Sequence, residues 1–194
     1  SGDTDLVVEA YPRCANTYTV AAFKILFGEE VRIARHRHAS AQFKMAAKLD
    51  KASILIIRNP LDAISSLAIR RPEVSVSLLI KEYISFHKDV LDILQKRKNI
   101  KVLMFEDVTG SPSTLMAVAK RLPGLSVVDS IPSENEFSRA VFEMVEEMEK
   151  KDSGGKVRES HVARPSLERQ SIKEPIVKVV LANQSLFRAA ENVY

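Results

Sequence analysis

The most constraining feature of this sequence is an unbroken run of four bulky apolar residues at positions 54–57, which ends at the tripeptide Arg-Asn-Pro. Such a run is typical of a strand covered on both faces, as strands in parallel sheets are. Shorter β-prone runs lie at residues 6–10, 31–34 and 101–105, with helix-like segments between them. The alternation predicts an α/β fold in three layers, a parallel sheet flanked by helices, whose ligands bind beyond the carboxyl ends of the strands.

The predicted helices are recognised by apolar residues at steps of three and four. They are expected near residues 20–27 (ended by Gly28), 40–49, 61–69, 79–93, 112–122, after Pro132, and 175–192. Between the last two lies a polar stretch, residues 151–169, and such long loops are commonly functional or disordered.

Length and composition limit the classes of function that the chain can have. The 194 residues are expected to form one domain, residues 1–194. The formal net charge of +4 is too small for a nucleic-acid partner held mainly by charge. The single cysteine excludes a disulfide framework and favours a reducing compartment, so a cytoplasmic location is expected. No apolar run approaches a membrane span and no signal-peptide pattern is present, so we expect no membrane partner.

The segment after the first predicted strand, Tyr-Pro-Arg-Cys-Ala-Asn-Thr-Tyr at residues 11–18, has the character of an anion site. Arg13 supplies charged donors, and free N–H groups at a following helix N-terminus favour phosphate or sulfate. Two alternatives remain: an ordinary turn in which Asn16 or Thr17 caps the helix, or a nucleophilic Cys14 with a pKa lowered by the helix. No glycine-rich Walker sequence occurs.

The segment after the apolar run, Arg-Asn-Pro-Leu-Asp-Ala-Ile-Ser-Ser at residues 58–66, carries a second pair of anion ligands. Arg58 ends the strand and Ser66 lies on the next helix, so both can reach one phosphate. Taken singly, each residue is equally compatible with an ordinary surface position. Two such loops, about 45 residues apart, suit a nucleotide with phosphate groups at both ends.

Together these segments resemble the sulfotransferase family that uses 3′-phosphoadenosine 5′-phosphosulfate (PAPS), with its P-loop-NTPase-like architecture. The family's Y-P-[KR]-S-G-[TN]-T-W and R-N-P-x-D-x-x-x-S elements are represented by residues 11–18 and 58–66, and its Y-E-D element by residues 105–107. The resemblance implies that the 5′-phosphosulfate is bound by the first loop and the 3′-phosphate by the second. The implied nucleotide-binding residues are Arg13, Cys14, Ala15, Asn16, Thr17, Tyr18, Arg58, Ser66 and Phe105.

The sequence departs from the family pattern at several positions. Cys14 and Ala15 replace Ser and Gly, Tyr18 replaces a Trp that stacks on adenine, and Phe105 replaces a Tyr. The family's C-terminal R-K-G-x-x-G-x-W segment is not recognisable. Two arginines of the corresponding region, Arg158 and Arg164, are the candidates for its role.

The resemblance also implies catalytic roles. Sulfuryl transfer depends on positioning and charge stabilisation, so Arg13 is expected to hold the transferring group electrostatically. The family has a histidine after its second strand, and His36 and His38 are the candidates for the base, with His38 preferred. Exposed histidines in a basic turn are the alternative. A metal site is not expected, because no third ligand of suitable spacing is evident.

The expected activity is transfer of a sulfuryl group from PAPS to a hydroxyl or amine of a small-molecule or carbohydrate acceptor. The products would include 3′,5′-diphosphoadenosine, and no metal is required. An atypical nucleotide kinase, which would need a nucleoside triphosphate and magnesium, is the first alternative. A non-catalytic nucleotide- or nucleic-acid-binding module is the second. The acceptor and the oligomeric state stay open at this point.

Overall fold

In a computed structural model of the chain, four parallel strands form one sheet in the order β2-β1-β3-β4. The structure describes residues 3–35, 37–97, 99–152, 154 and 167–194. The strands are β1 (Leu6–Ala10), β2 (Ile33–Ala34), β3 (Ala52–Ile57) and β4 (Ile100–Met104). In the central register, Val8 lies opposite Ile54, which in turn lies opposite Lys101.

The helices lie between and after the strands, as the sequence pattern predicts. They are α1 (Asn16–Phe27), α2 (Ala41–Lys48), α3 (Pro60–Arg70), α4 (Val76–Leu94), α5 (Phe105–Gly110), α6 (Pro112–Ala119), α7 (Glu134–Asp152), α8 (Leu167–Ala182) and α9 (Gln184–Glu191). In one group α1 packs against α6 and α7, and in a second group α3 packs against α4, α8 and α9. Helix α2 packs on β1, β3 and α4. The predicted α/β class, a parallel sheet flanked by helices, is confirmed.

Burial of the strands follows their position in the sheet. All five residues of β1 are buried, and so are the first five of β3, since these are the two interior strands. The edge strand β4 exposes Lys101 and Val102. The apolar run that predicted a parallel sheet therefore belongs to a strand with a neighbour on each side.

Several predicted boundaries differ from the structure. The strand expected at residues 31–34 is reduced to Ile33–Ala34, and Phe105 begins α5 instead of ending β4. The predicted helix 175–192 is two helices that meet at Asn183, and the first begins at Leu167 with Pro175 inside it. Lys173, two residues before that proline, forms an ion pair with Asp62 of α3. This tertiary contact lies in the part of α8 that precedes Pro175, the residue at which the local sequence predicted the helix to begin.

The polar stretch at residues 151–169 is correspondingly shorter than predicted. Its first two residues end α7 and its last three begin α8, while most of the remainder lies outside the described residues. Within the described part of the chain, no helix is long and apolar enough to cross a membrane.

Candidate functional site

The strand order places two loops at a point where the chain reverses direction across the sheet. From β1 the chain passes first to β2 on one side and then to β3 on the other. The carboxyl ends of β1 and β3 therefore flank the crevice in which ligands bind in open α/β sheets. The loops that leave these ends are residues 11–15 and 58–59, the two segments that the sequence predicted as anion sites.

Direct contacts join these two loops. The Nη1 of Arg58 donates to the main-chain carbonyl of Arg13, at 2.8 Å between N and O. The Nε of Arg13 in turn donates to the hydroxyl of Ser66, at 3.1 Å. These residues are 45 and 53 positions apart in sequence. Two arginines and a serine that the sequence singled out are thus brought into one hydrogen-bonded group.

The backbone of the first loop is strained. Arg13 and Ala15 have φ angles of 69° and 63°, a left-handed conformation that is unfavourable for residues with a Cβ. Ala15 is the N-cap residue of α1, and the cap has no side-chain hydrogen bond. The alternative in which Asn16 or Thr17 caps this helix is therefore wrong. Within the described residues, no N-cap side chain accepts from the first N–H groups of α1, as one usually does.

Asn16, the first residue of α1, carries two polar atoms that lack a partner. The residue is only 5% exposed, and among the described residues neither its amide nitrogen nor its amide oxygen has a hydrogen bond. The Nε of Arg58 is also buried without a partner there. Buried polar atoms are nearly always satisfied, and each one left unpaired costs about 1–3 kcal/mol. Both groups are therefore candidates for contact with a polar ligand.

Cys14 is fully buried between these residues. Burial raises the pKa of its thiol to about 12, and the nearby charges of Arg58 and Arg13 offset only part of that rise. Its Sγ lies 3.8 Å from the carbonyl oxygen of Pro12. The burial that raises the pKa of this thiol favours the neutral form over the nucleophilic thiolate of the alternative.

Arg58 is held from two further sides. Its guanidinium lies over the ring of Phe105, with 3.8 Å between Cζ and the ring centroid, and such cation–π contacts orient the charge. The hydroxyl of Tyr83 donates to the carbonyl of Arg58 at 2.8 Å. The sequence assigned Tyr83 only to the apolar face of a helix, so its role at Arg58 was missed. No signal short of the tertiary contact identifies it.

The remaining predicted nucleotide ligands lie along α1 or outside the described residues. Thr17 and Tyr18 are both partly exposed on the first turn of α1. The ring of Tyr18 makes an edge contact with Phe142 of α7, at 5.7 Å between centroids. The candidates that lie outside the described residues are His36, Arg158 and Arg164.

His38 is fixed to the end of β1. Its Nδ1 lies 2.9 Å from the carbonyl oxygen of Ala10, and because a carbonyl only accepts, Nδ1 must carry the hydrogen. In the neutral ring Nε2 is then the basic nitrogen. Burial is the main cause that lowers the pKa of His38 below its ordinary value. This partly buried, anchored imidazole differs from the exposed turn that was the alternative.

A buried carboxylate orients His38, and the sequence analysis missed it. Glu9 is fully buried in β1, and its two oxygens accept the backbone N–H groups of Arg37 and His38, each at 2.9 Å. Burial raises the pKa of Glu9, against the effect of these hydrogen bonds. The detectable signal was a charged residue inside an otherwise apolar strand, where an unpaired carboxylate would be costly.

Comparisons with known proteins bear on the fold. No protein-family model matches the chain, and no curated protein matches it in sequence. Among solved structures, it is similar to a crystal structure of mouse sulfotransferase SULT7A1 complexed with PAP, with a TM-score of 0.55. The chain has a sulfotransferase fold. The match covers 99% of this chain and 88% of the mouse chain at 13% sequence identity, so the likeness is one of fold.

Proposed function

We propose that this chain is a sulfotransferase that transfers a sulfuryl group from PAPS to a hydroxyl or amine of a small-molecule or carbohydrate acceptor. The observation that carries the proposal is the convergence of Arg13, Arg58 and Ser66 at the carboxyl ends of β1 and β3. The likeness in fold to the mouse sulfotransferase supports it, since that protein was crystallised as a complex with PAP.

The residues present fit a nucleotide that carries phosphate at both ends. The uncapped start of α1, the Asn16 amide and Arg13 form a donor-rich cradle suited to the 5′-phosphosulfate. The buried Nε of Arg58 and the hydroxyl of Ser66 are the groups for the 3′-phosphate. Backbone N–H groups of Cys14 and Ala15 complete the first set, and the ring of Tyr18 is available to stack on adenine.

Arg13 and His38 have different roles in the proposed reaction. When bound, PAPS supplies the sulfuryl group: a bond forms from the acceptor oxygen to sulfur, and the sulfur–oxygen bond to the 5′-phosphate breaks with its electron pair leaving on phosphate. Arg13 stays charged at ordinary pH, so its part is to stabilise negative charge on the transferring group and the leaving phosphate. His38 accepts the acceptor proton at Nε2, and its lowered pKa keeps the ring neutral and basic near pH 7.

A thermal-shift titration tests the nucleotide assignment. We expect 3′,5′-diphosphoadenosine to raise the melting temperature in a metal chelator, because a ligand that binds only the folded state stabilises it with concentration. The matched control is 5′-AMP, which lacks the 3′-phosphate and should act much more weakly. Stabilisation by ATP with magnesium and none by 3′,5′-diphosphoadenosine would refute the proposal in favour of a kinase. Tighter binding of long nucleic acid than of the diphosphate would refute it in favour of a binding module.

A further inference from the structure

A carboxylate lies on the same face of α3 as the hydroxyl that we propose for the 3′-phosphate. Asp62 and Ser66 are four residues apart within this helix. Residues at this spacing lie one turn apart on one face, with about 5–6 Å between their Cβ atoms. Side chains of a helix lean toward its N-terminal end, so Ser66 leans toward the turn that carries Asp62.

Hydrogen bonds fix both of these residues. Ser66 is buried, and its hydroxyl accepts the Nε of Arg13 at 3.1 Å. The backbone N–H of Asp62 donates to the side-chain oxygen of Asn59 at 3.4 Å. The carboxylate of Asp62 is therefore held about one helical turn from the position that we propose for the phosphate.

An uncompensated carboxylate at this distance would weaken phosphate binding. A phosphate monoester carries about 1.5 to 2 negative charges near pH 7, and like charges within a few ångströms of each other repel. The side chain of Asp62 is 42% exposed, so water screens its charge in part. A neighbouring cation is needed to remove the rest of the repulsion.

A lysine from a distant part of the chain supplies that cation. The Nζ of Lys173, on α8, donates to Oδ1 of Asp62, and the two side chains form an ion pair. The two residues are 111 positions apart in sequence. Because α8 packs against α3, the ammonium group lies at the first turn of the helix that carries Ser66.

A second ion pair of α8 provides the contrast. Lys178 pairs with Glu174 at 3.4 Å, one turn away on the same helix, and these side chains are 77% and 72% exposed. Exposed pairs of this kind contribute little to stability. The pair of Lys173 instead joins α8 to α3, and its lysine side chain is 32% exposed. The two lysines thus have the same charge and the same helix but different surroundings.

We infer that Lys173 determines the preference for a nucleotide with a 3′-phosphate by neutralising Asp62, so that the phosphate reaches Ser66 without repulsion. In this role Lys173 acts through Asp62 and is not itself a phosphate ligand. The inference rests on the proposed function for the identity of the nucleotide. The effect of the lysine on phosphate binding beside Ser66 does not depend on that identity.

A double-mutant cycle tests the inference. Affinities for 3′,5′-diphosphoadenosine and for 5′-AMP are measured by calorimetry on the unmodified protein and on variants whose melting temperatures confirm that they are folded. Lys173→Met keeps the apolar stem without the charge. It should weaken the diphosphate about fivefold or more and 5′-AMP less than about twofold, and the difference should fall as salt is raised.

Removing the carboxylate should rescue the lysine variant. Asp62→Asn combined with Lys173→Met should bind the diphosphate within about twofold of the unmodified protein, because no charge remains to repel the phosphate. Asp62→Asn alone should bind it at least as tightly as the unmodified protein. Lys178→Met is the matched control and should change neither affinity.

Two results would overturn the inference. One is an unchanged preference for the diphosphate in Lys173→Met. The other is a loss that persists when Asp62→Asn is added, because a structural tether between α3 and α8, or a direct contact of the lysine with phosphate, is missing from both variants.

The same proteins are titrated with inorganic phosphate, which separates this inference from the proposed function. Phosphate binding that is weakened by Lys173→Met and restored by adding Asp62→Asn, in a protein that does not bind 3′,5′-diphosphoadenosine, would refute the sulfotransferase proposal and support the role of the lysine. Diphosphate binding with its preference intact in Lys173→Met would refute the inference alone. Failure of the unmodified protein to bind either ligand would overturn both.

Discussion

The loops after β1 and β3 perform neighbouring tasks but start their helices in opposite ways. The loop after β1 holds Arg13 and Ala15 in left-handed backbone and opens α1 without a side-chain cap. The loop after β3 opens α3 with Asn59, whose side-chain oxygen accepts the N–H groups of Leu61 and Asp62 at 2.9 and 3.4 Å. The start of α1 therefore has a strained backbone and no side-chain cap, whereas Asn59 caps the start of α3.

The difference shows where this site stores its strain and what supports it. Residues in sparsely populated backbone regions persist only where their surroundings over-determine them, and they cluster at functional sites. Here the support comes from the relaxed loop, since Arg58 donates to the carbonyl of the strained Arg13. Phe105 and Tyr83 hold Arg58 in turn. The loop after β3 therefore braces its neighbour, in addition to the nucleotide-binding role that we propose for Arg58.

The largest effect is expected from a change at His38, which lies outside both loops. It distinguishes nucleotide binding from proton transfer. His38→Ala should lower kcat about 10²- to 10⁴-fold, the usual size of a general-base contribution, and leave the affinity for 3′,5′-diphosphoadenosine unchanged. In the unmodified enzyme, activity should be lost as pH falls, because protonation removes the basic Nε2. The midpoint of that loss should lie below the ordinary histidine pKa of about 6.5, since burial lowers the pKa of His38.

The control for this test is the second candidate, His36. His36→Ala should keep most of the turnover. A large loss in His36→Ala beside a nearly normal His38→Ala would exchange the two assignments, and full turnover in both would remove the histidine base from the mechanism.

Arg58→Ala is the next largest change, and it tests whether the relaxed loop braces the strained one. Loss of a charge-assisted bond to the 3′-phosphate, about 1.5–3 kcal/mol, should weaken 3′,5′-diphosphoadenosine about 10- to 100-fold and 5′-AMP far less. The melting temperature should also fall, because the carbonyl of Arg13 and the ring of Phe105 lose their partner. Arg121→Ala, which removes the same charge from an exposed position beyond α6, is the matched control and should alter neither quantity. Equal losses for the two nucleotides would contradict the assignment of Arg58 to the 3′-phosphate.

Asn59→Ala tests whether the loop after β3 stabilises the start of α3 through its own side-chain cap. Removing the side-chain acceptor of an N-cap costs about 1 kcal/mol, so a chain of this size should melt roughly 2–4 °C lower. Asn59→Ser retains a capping oxygen and should restore most of the loss. Nucleotide affinity should be little changed, and a selective loss of affinity without a change in stability would show that Asn59 is a ligand instead of a cap.

Ala15→Gly should have the smallest effect and the opposite sign. At a φ of 63° glycine avoids the Cβ penalty, so the change should stabilise the protein by about 1 kcal/mol in chemical denaturation. Ala140→Gly, in the interior of α7, should destabilise by about 0.5–1 kcal/mol, because there the backbone is helical and glycine only adds entropy to the unfolded chain. Destabilisation by Ala15→Gly would mean that the loop is not strained at Ala15, and the contrast between the two loops would fail.

Much of the framework was set by local sequence. The apolar run at residues 54–57 predicted a buried strand of a parallel sheet. The alternation of strand-like and helix-like segments predicted the α/β class. Both patterns are local, because each is formed by residues that are close together along the chain. Asn59 followed by Pro60 is a helix start by its own chemistry, which is why α3 begins where the sequence predicted to within one residue. The candidate anion ligands were found for the same reason, since they stand at strand ends.

Tertiary structure alone decided how those ligands are arranged. Arg13 reaches Ser66 across 53 residues, and Arg58 rests on Phe105, contacts that no local pattern encodes. The capping side chains of Asn16 and Thr17 left a capped start of α1 open as an alternative, but Ala15 occupies the N-cap position. Glu9 was visible as a charge in an apolar strand, but its partners are backbone N–H groups 28 and 29 residues away. Side-chain identity along the chain is local information, while the direction and burial of each polar group depend on which segments fold against it.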